Sequence, residues 1–144
     1  MKAGVMMIGI VLTGHGSFPN GMLESVQLIA GEVTQIKVVP FLEDPDKLKK
    51  DLEVAIQEVE NGDGVVCFAD LAGGTPFNVS SKIASTMEGV RVIGGVNSPM
   101  ILSGLFQRDM DIDSFTAFVL KEAKENMKLF SVKKRKESVE SDGI

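Results

Sequence analysis

Short apolar runs alternate with amphipathic stretches along the chain. Residues 5–12 form a continuous apolar run that predicts a strand buried on both faces, and shorter runs over residues 35–39, 64–69 and 90–94 predict three more. Strands that alternate with helices favour a parallel sheet, because each parallel connection needs a crossover. The pattern therefore predicts an α/β fold: a doubly wound, four-stranded parallel sheet with right-handed crossovers and helices on both faces.

The first two intervening stretches carry clear helix signals. Residues 22–30 place apolar side chains on one face, and Gly31 predicts the end of that helix. The next helix is predicted to have Asp44 as its N-cap and Pro45 as its first residue. Its predicted buried stripe comprises Leu48, Leu52, Ile56 and Val59.

The remaining helices and the C-terminal segment follow from similar signals. Thr75 and Ser98, each followed by proline, are the expected N-caps of helices that run to about residues 89 and 107. Asp113 or Ser114 is expected to cap a last helix. Residues 129–133 predict a short fifth strand. We expect one domain over residues 1–132 and a charged, flexible tail over residues 133–144.

Composition narrows the class of protein. A chain of 144 residues, 44% of them apolar, can bury the core of a single domain. Its formal net charge of −5 argues against a nucleic-acid partner and permits a partner with a basic face. Cys67 is the single cysteine and lies in an apolar run, so we expect a buried thiol and a cytoplasmic, reducing location. The apolar run over residues 5–12 is too short to span a bilayer.

The candidate chemistry lies in polar loops expected at the carboxyl edge of the sheet, where open parallel sheets bind ligands. Residues 13–21 follow the first predicted strand and contain His15, the single histidine. Asp70 follows the third strand, and residues 95–99 follow the fourth. If the strand order is 2-1-3-4, His15 faces Asp70 across the switch point. A carboxylate that accepts a hydrogen bond from one imidazole nitrogen leaves the other free as a nucleophile.

Glycines flank His15 and follow shortly after Asp70 in the sequence. Gly14 and Gly16 flank the histidine, and their lack of side chains would let a reactive group of another protein approach. Gly73, Gly74 and Thr75 lead into a predicted helix whose first N–H groups lack partners. We therefore expect a phosphoryl group on the histidine to rest against these N–H groups, with the threonine hydroxyl as a further donor and with Gly14 and Gly16 as part of the same phosphoryl-binding site.

Each of these signals has a simpler interpretation. His15 can be a loop histidine bonded to backbone, Asp70 can bind N–H groups of its own turn, and the glycines can serve turn geometry alone. The sequence contains no GxxxxGK[ST] phosphate loop, and no GxGxxG motif joins a strand to a helix. With one His and one Cys, a zinc site is improbable. We expect neither a metal nor a cofactor.

Three segments resemble the enzyme IIA component of the mannose-family sugar phosphotransferase system. They are GHG after the first apolar run, DLAGGTPFN at residues 70–78 and GVNSPM at residues 95–100, and the resemblance covers roughly residues 4–130. It implies a doubly wound sheet of order 2-1-3-4 and a homodimer that exchanges a C-terminal strand, for which residues 129–133 are the candidate. It also implies a phosphotransferase whose histidine, here His15, receives a phosphoryl group from the phosphocarrier HPr and passes it to enzyme IIB for sugar uptake.

The same resemblance implies roles for further residues, and the chain differs from relatives in two respects. Asp70 matches the acidic partner of the reactive histidine, and Thr75 matches a hydroxyl position near the phosphoryl group. Contact with the membrane permease is implied to be peripheral, through enzyme IIB. Some relatives fuse IIA to IIB, and the length of this chain leads us to expect a separate IIB. The SFPNG segment after the histidine differs from relatives, and the identity of the sugar is not encoded in these motifs.

Three other functions fit the same residues. A phosphoryl-donor subunit of a dihydroxyacetone kinase would share the fold and the histidine, although those chains are often longer. A flavodoxin-like module that holds a phosphorylated small molecule in the same crevice would predict a co-purifying ligand and no phosphohistidine. A purely structural or regulatory protein would leave the meeting of His15 and Asp70 as a coincidence.

Overall fold

The structure, a computed structural model, describes residues 7–132 of the chain. Within them, strands alternate with helices as the apolar pattern predicts, and no helix is long and apolar enough to cross a membrane. In chain order the elements are β1 (Gly9–His15), α1 (Phe18–Ala30), β2 (Ile36–Phe41), α2 (Pro45–Val59), β3 (Val65–Ala69), α3 (Thr75–Ala84), β4 (Val90–Ile93), α4 (Ser98–Leu105) and α5 (Ile112–Glu125).

The strands form one parallel sheet of order β2-β1-β3-β4, which confirms the predicted fold class. Alternate side chains of the middle strands β1 and β3 enter two separate cores. Leu12 and Phe68 pack with α1, α4 and α5, whereas Val11 and Cys67 pack with α2 and α3. Helices therefore cover both faces, and burial on both sides explains why these strands read as continuous apolar runs.

Cys67 lies wholly inside the second core. Its side chain has 0% exposure, and burial raises the pKa of its thiol to about 12. The thiol is therefore protonated at neutral pH and packs as a small apolar side chain, as the sequence predicts.

The first strand and the first helix differ from their predicted bounds. β1 begins at Gly9 and continues to His15, beyond the predicted end at residue 12. Thr13 is buried in the extension, and its hydroxyl is satisfied by donating to the carbonyl of Val39 at 2.7 Å. α1 begins at Phe18 instead of residue 22, so the predicted long turn is reduced to two residues. Residues 5 and 6 of the predicted strand lie outside the described residues.

β2 extends two residues beyond its predicted end at residue 39 and so contains a proline. The strand runs from Ile36 to Phe41 with Pro40 inside it. Among the described strands β2 pairs with β1 alone, and a strand at the edge of a sheet tolerates the missing N–H of proline. The ladder between the two strands therefore continues until His15 pairs in register with Phe41.

Three of the predicted N-caps are wrong. Thr75 and Ser98 are the first residues of α3 and α4, whose N-caps are Gly74 and Asn97. Asp111 caps α5 by accepting from a backbone N–H, so neither position 113 nor position 114 is the cap. Asn97 and Asp111 take the cap position because their side chains accept from the N–H groups of Met100 and Ser114, whereas Gly74 makes no side-chain capping bond.

Helix α2 agrees with its prediction. Asp44 is the N-cap and accepts from the N–H of Asp46, and Pro45 is the first helical residue. The predicted stripe is confirmed as buried, and it comprises Leu48, Leu52, Ile56 and Val59. By contrast, α3 and α4 end before their predicted limits, at Ala84 and Leu105.

Residues 129–132, the described part of the predicted fifth strand, are not in a strand. Residues 129–132 were predicted as part of a fifth strand, but they pair with no described strand. Leu129, Phe130 and Val132 are 92%, 84% and 85% exposed. Residue 133 of that prediction, and the predicted tail over residues 133–144, lie outside the described residues.

Arg108 ties together the starts of the first two strands, at the sheet edge opposite His15. Its guanidinium is buried and donates to the carbonyl oxygens of Ile8, Thr34 and Gln35 at 2.7–2.9 Å. Burial lowers the pKa of Arg108 to about 10, so it remains charged at neutral pH. One side chain therefore satisfies three backbone acceptors where β1 and β2 begin.

We expect Arg108→Met to lower the free energy of unfolding by about 3 kcal/mol, because methionine removes the donor to the carbonyl groups of buried Ile8 and of Thr34 and one of the two donors to that of Gln35. Arg91→Met is the matched control. Arg91 bonds Asp113 at 3.1 Å on the surface, and its loss should cost less than about 1 kcal/mol. Urea unfolding followed by circular dichroism measures both values. Equal effects would show that Arg108 does not hold the strand starts together.

Candidate active site

The strand order brings His15 and Asp70 together. His15 is the last residue of β1, Asp70 directly follows β3, and the two strands are neighbours. Nδ1 of the imidazole lies 2.8 Å from Oδ2 of Asp70, and the backbone N–H of His15 donates to the same oxygen at 2.9 Å. The juxtaposition that the sequence predicts is therefore present in the structure.

Asp70 is held on both carboxylate oxygens. Oδ1 accepts from the N–H of Leu71 at 2.9 Å, and Oδ2 accepts from His15. Partial burial opposes ionisation of this carboxyl, but the hydrogen bonds from His15 and Leu71 outweigh it, so the pKa of Asp70 lies below its ordinary value. Because an ionised carboxylate only accepts, Nδ1 of His15 is the nitrogen that carries a proton.

The second ring nitrogen of His15 remains available. Among the described residues, none makes a hydrogen bond to Nε2, and the side chain is 45% exposed. A neutral imidazole with its proton on Nδ1 has its lone pair on Nε2. The pair can therefore present a nucleophilic nitrogen to a reactive group that arrives from solvent.

Glycine is required at the two positions beside His15 for different structural reasons. A Cβ at Gly14 would lie 2.9 Å from the ring of Phe18 and 3.0 Å from the carboxyl carbon of Asp70. Glycine at this position makes room for Phe18 and Asp70. Gly16 has a φ of 57°, and a Cβ there would meet nothing within 4 Å. It permits the tight turn into α1.

The loop that precedes α3 lies against the imidazole. A Cβ at Gly74 would be 3.0 Å from Cε1 of His15. Gly73 has a φ of 88°, and its carbonyl accepts from the side-chain amide of Asn78 at 3.0 Å. Thr75 begins the helix, and no described residue accepts a hydrogen bond from its N–H or its hydroxyl. These donors are available for an anion at the start of the helix.

Two residues at the site were missed by the sequence analysis. The rings of Phe41 and His15 meet edge to face, with centroids 5.8 Å apart and planes at 77°. The carbonyl of Phe41 also accepts from the N–H of Gly16 at 2.8 Å. The contact between Phe41 and His15 follows from the register of β2 against β1, and the pattern of apolar residues in the sequence does not determine that register. Asn78 lies in the DLAGGTPFN segment, but the segment alone does not show which group its amide binds.

Neither the third polar loop nor a metal cluster adds to the site within residues 7–132. The Asn97 side chain accepts from the N–H of Met100 at 3.0 Å, and the Ser98 hydroxyl contacts the sulfur of Met22 at 3.7 Å. These side chains therefore cap α4 and connect it to α1, and they do not bond His15. No group of three or more potential metal ligands occurs among the same residues.

The sequence matches known proteins over most of its length. Residues 9–120 match the family described as "PTS system fructose IIA component", where PTS stands for phosphotransferase system. The mannose-specific EIIAB component of Escherichia coli K12 is 30% identical over 132 residues, which are 89% of this chain and 41% of that protein. This chain therefore spans about two fifths of that relative. The fructose-specific EIIA component of Bacillus subtilis is 30% identical over 105 residues, 72% of each chain.

Solved structures share the fold. The EIIA component from Streptococcus agalactiae aligns with a TM-score of 0.77 at 30% identity, over 85% of this chain and 96% of that one. The mannose/sorbose-specific IIA subunit from Enterococcus faecalis aligns with a TM-score of 0.82 at 23% identity, over 91% and 100%. The family match and the identities together establish that the chain belongs to the mannose-type IIA components of the phosphotransferase system, a family of phosphotransferases that serves sugar uptake.

Proposed function

We propose that this protein is a phosphohistidine carrier, which accepts a phosphoryl group from HPr on His15 and passes it to enzyme IIB. The observation that carries the proposal is the state of the single histidine. Nδ1 is bonded to Asp70 at 2.8 Å, whereas Nε2 has no hydrogen bond to a described residue and the side chain is 45% exposed. A histidine that served only packing would not need its second nitrogen accessible.

The proposed step exchanges one N–P bond for another. The lone pair on Nε2 of His15 forms a bond to phosphorus, while the bond from phosphorus to the donor histidine breaks and its electron pair returns to the donor nitrogen. The proton on Nδ1 stays in place, and Asp70 stabilises the positive charge that the ring acquires. Transfer to enzyme IIB runs through the same geometry with His15 as the donor. Because both bonds are of one kind, the step needs no metal or cofactor.

The start of α3 is suited to hold the phosphoryl oxygens. The Gly74 backbone lies against Cε1 of His15, and Thr75 offers an N–H and a hydroxyl with no described acceptor. In a loose, in-line transition state the negative charge lies on three equatorial oxygens. Fixed donors at that position stabilise this charge without reorganisation. We therefore assign phosphoryl binding to Gly73, Gly74 and Thr75, with Gly16 providing access.

The proposal extends to partners and location. HPr and enzyme IIB must both reach Nε2, and the net charge of −5 suits partners with basic faces. We place the protein in the cytoplasm, connected to the membrane permease through enzyme IIB, and the free, buried Cys67 fits a reducing compartment. Exposed Leu129, Phe130 and Val132 support a homodimer, since a second copy would remove them from water.

Two observations favour this function over the alternatives. The relatives quoted above carry the names of mannose and fructose systems, which favours sugar transport over a subunit of dihydroxyacetone kinase. The unbonded Nε2 of His15 favours covalent phosphoryl transfer over a module that only binds a phosphorylated ligand, because such a module needs no nucleophile.

The first test uses the fact that His15 is the only histidine in the chain. With enzyme I, HPr and labelled phosphoenolpyruvate, the wild-type protein should acquire an acid-labile label, because an N–P bond hydrolyses in acid. His15→Gln should acquire none. Gel electrophoresis before and after acid treatment measures the label. Label on the variant, or acid-stable label on the wild type, would contradict the assignment.

The second test concerns Asp70. Asp70→Asn should slow phosphoryl transfer by about a hundredfold, because the amide no longer stabilises the charged ring and can reverse its tautomer. The N–H groups of His15 and Leu71 bond different oxygens of Asp70, so the amide oxygen can keep only one of these bonds, and circular dichroism verifies that the fold persists. Rapid-quench kinetics and ¹⁵N spectra of the imidazole measure rate and tautomer. Asp113→Asn, on the surface, is the control. A wild-type rate in Asp70→Asn would reject the role.

The third test concerns the Thr75 hydroxyl. Thr75→Val keeps the shape of the side chain and removes the donor, so transfer should slow by about tenfold to a hundredfold. Thr75→Ser keeps the hydroxyl and should retain most of the rate. Single-turnover transfer from phosphorylated HPr measures both variants, with circular dichroism to verify α3. If serine and valine variants behave alike, the hydroxyl does not bind the phosphoryl group.

A further inference from the structure

We propose that Phe41 is a positioning residue that sets the direction in which Nε2 of His15 points; the inference rests on the proposed phosphoryl transfer. The hydrogen bond from Nδ1 to Asp70 fixes one atom of the ring at 2.8 Å from its acceptor. That bond alone lets the ring swing about the line joining the two atoms. The second side-chain torsion of histidine is broad, so rotamer preference does not fix the ring plane either.

Phe41 contacts the imidazole at a point away from the line that joins Nδ1 to Asp70. Its ring meets the imidazole edge to face, with centroids 5.8 Å apart and planes at 77°. Aromatic pairs favour this arrangement, and rotation of the imidazole would lose it. On another side, the Gly74 backbone lies close to Cε1, where even a Cβ would come within 3.0 Å. Asp70, Phe41 and Gly74 thus restrain three parts of the imidazole, and Nε2 remains unbonded.

Phe41 is itself held in place, which a positioning residue requires. It is the last residue of β2 and pairs in register with His15. Its carbonyl accepts from the N–H of Gly16 at 2.8 Å, and Pro40 before it has a restricted φ. The half-buried ring packs against the core under α2. The contact with the imidazole therefore involves a ring anchored by the sheet, and not one on a mobile loop.

The direction of Nε2 determines the transfer rate in this scheme. In-line attack requires the lone pair to be aligned with the breaking bond, and catalytic groups generally need alignment within roughly 10–20°. A ring that swings about its bond to Asp70 would retain the correct tautomer but spend most of its time misaligned. Loss of Phe41 should therefore reduce the turnover number, while the affinity for the phosphoryl donor should change little.

The kinetic experiment compares Phe41→Leu, Phe41→Tyr and the control Leu42→Ala. Leu42 is the next residue, lies beyond the strand and is 77% exposed. With phosphorylated HPr as the donor, we expect Phe41→Leu to lower kcat about tenfold with little change in KM. Phe41→Tyr should restore the rate, and Leu42→Ala should match the wild type. A wild-type kcat in Phe41→Leu, or a loss carried entirely by KM, would overturn the inference.

Spectroscopy gives a second reading that does not depend on transfer. In Phe41→Leu the ¹⁵N signals of His15 should keep the wild-type tautomer, because Asp70 remains, while the carbon-bound ring protons should lose the shift caused by the neighbouring aromatic ring. Phe41→Tyr should keep that shift. Unchanged ring protons in a folded Phe41→Leu would overturn the inference. If the wild type itself takes no phosphoryl group, the proposed function fails, whereas these spectra still decide whether Phe41 orients the ring.

Discussion

The site depends on one carboxylate that joins the ends of two neighbouring strands. Oδ2 of Asp70 accepts from both the backbone N–H and the ring of His15, and Oδ1 accepts from Leu71. Two of the three donors belong to the backbone. Asp70 therefore stays ionised and in place even when the imidazole moves, so it can select the tautomer and stabilise the charged ring throughout a reaction cycle. This arrangement exists only because β1 and β3 are adjacent in the sheet.

The end of the sheet where the strands begin contributes to stability, whereas the end where the strands finish carries the reactive residues. At the edge where the strands begin, buried Arg108 satisfies three carbonyl groups and leaves little for a ligand to bind. At the edge where they end, α1 and α3 begin, and the N–H of Thr75 has no described acceptor. Helix starts carry a partial positive charge, which suits an anion beside His15.

Much of this arrangement can be predicted from the sequence, for a physical reason. Apolar runs that end in polar residues mark strand ends, and parallel strand ends share one edge, so His15 and Asp70 can be placed together before any coordinates exist. The position of Phe41 cannot be predicted in this way, since it follows from the register of β2, a partly exposed strand with a weak pattern. The apolar segment at residues 129–132 predicts a strand, but an apolar pattern does not name the strand that would pair with it.

Because β1 extends to His15, strand pairing fixes the backbone of the reactive histidine. A histidine in the long loop that the glycines suggest would have to lose backbone freedom worth about 1–2 kcal/mol per residue before it could react from one direction. In the structure that freedom is already lost on folding, because the ladder continues through Gly14 and pairs His15 with Phe41. The chain turns away only at Gly16, beyond the reactive residue. Gly14, which in sequence suggests flexibility, instead allows Asp70 to pack closely against the strand end. The sheet itself therefore supplies the preorganisation that phosphoryl transfer requires.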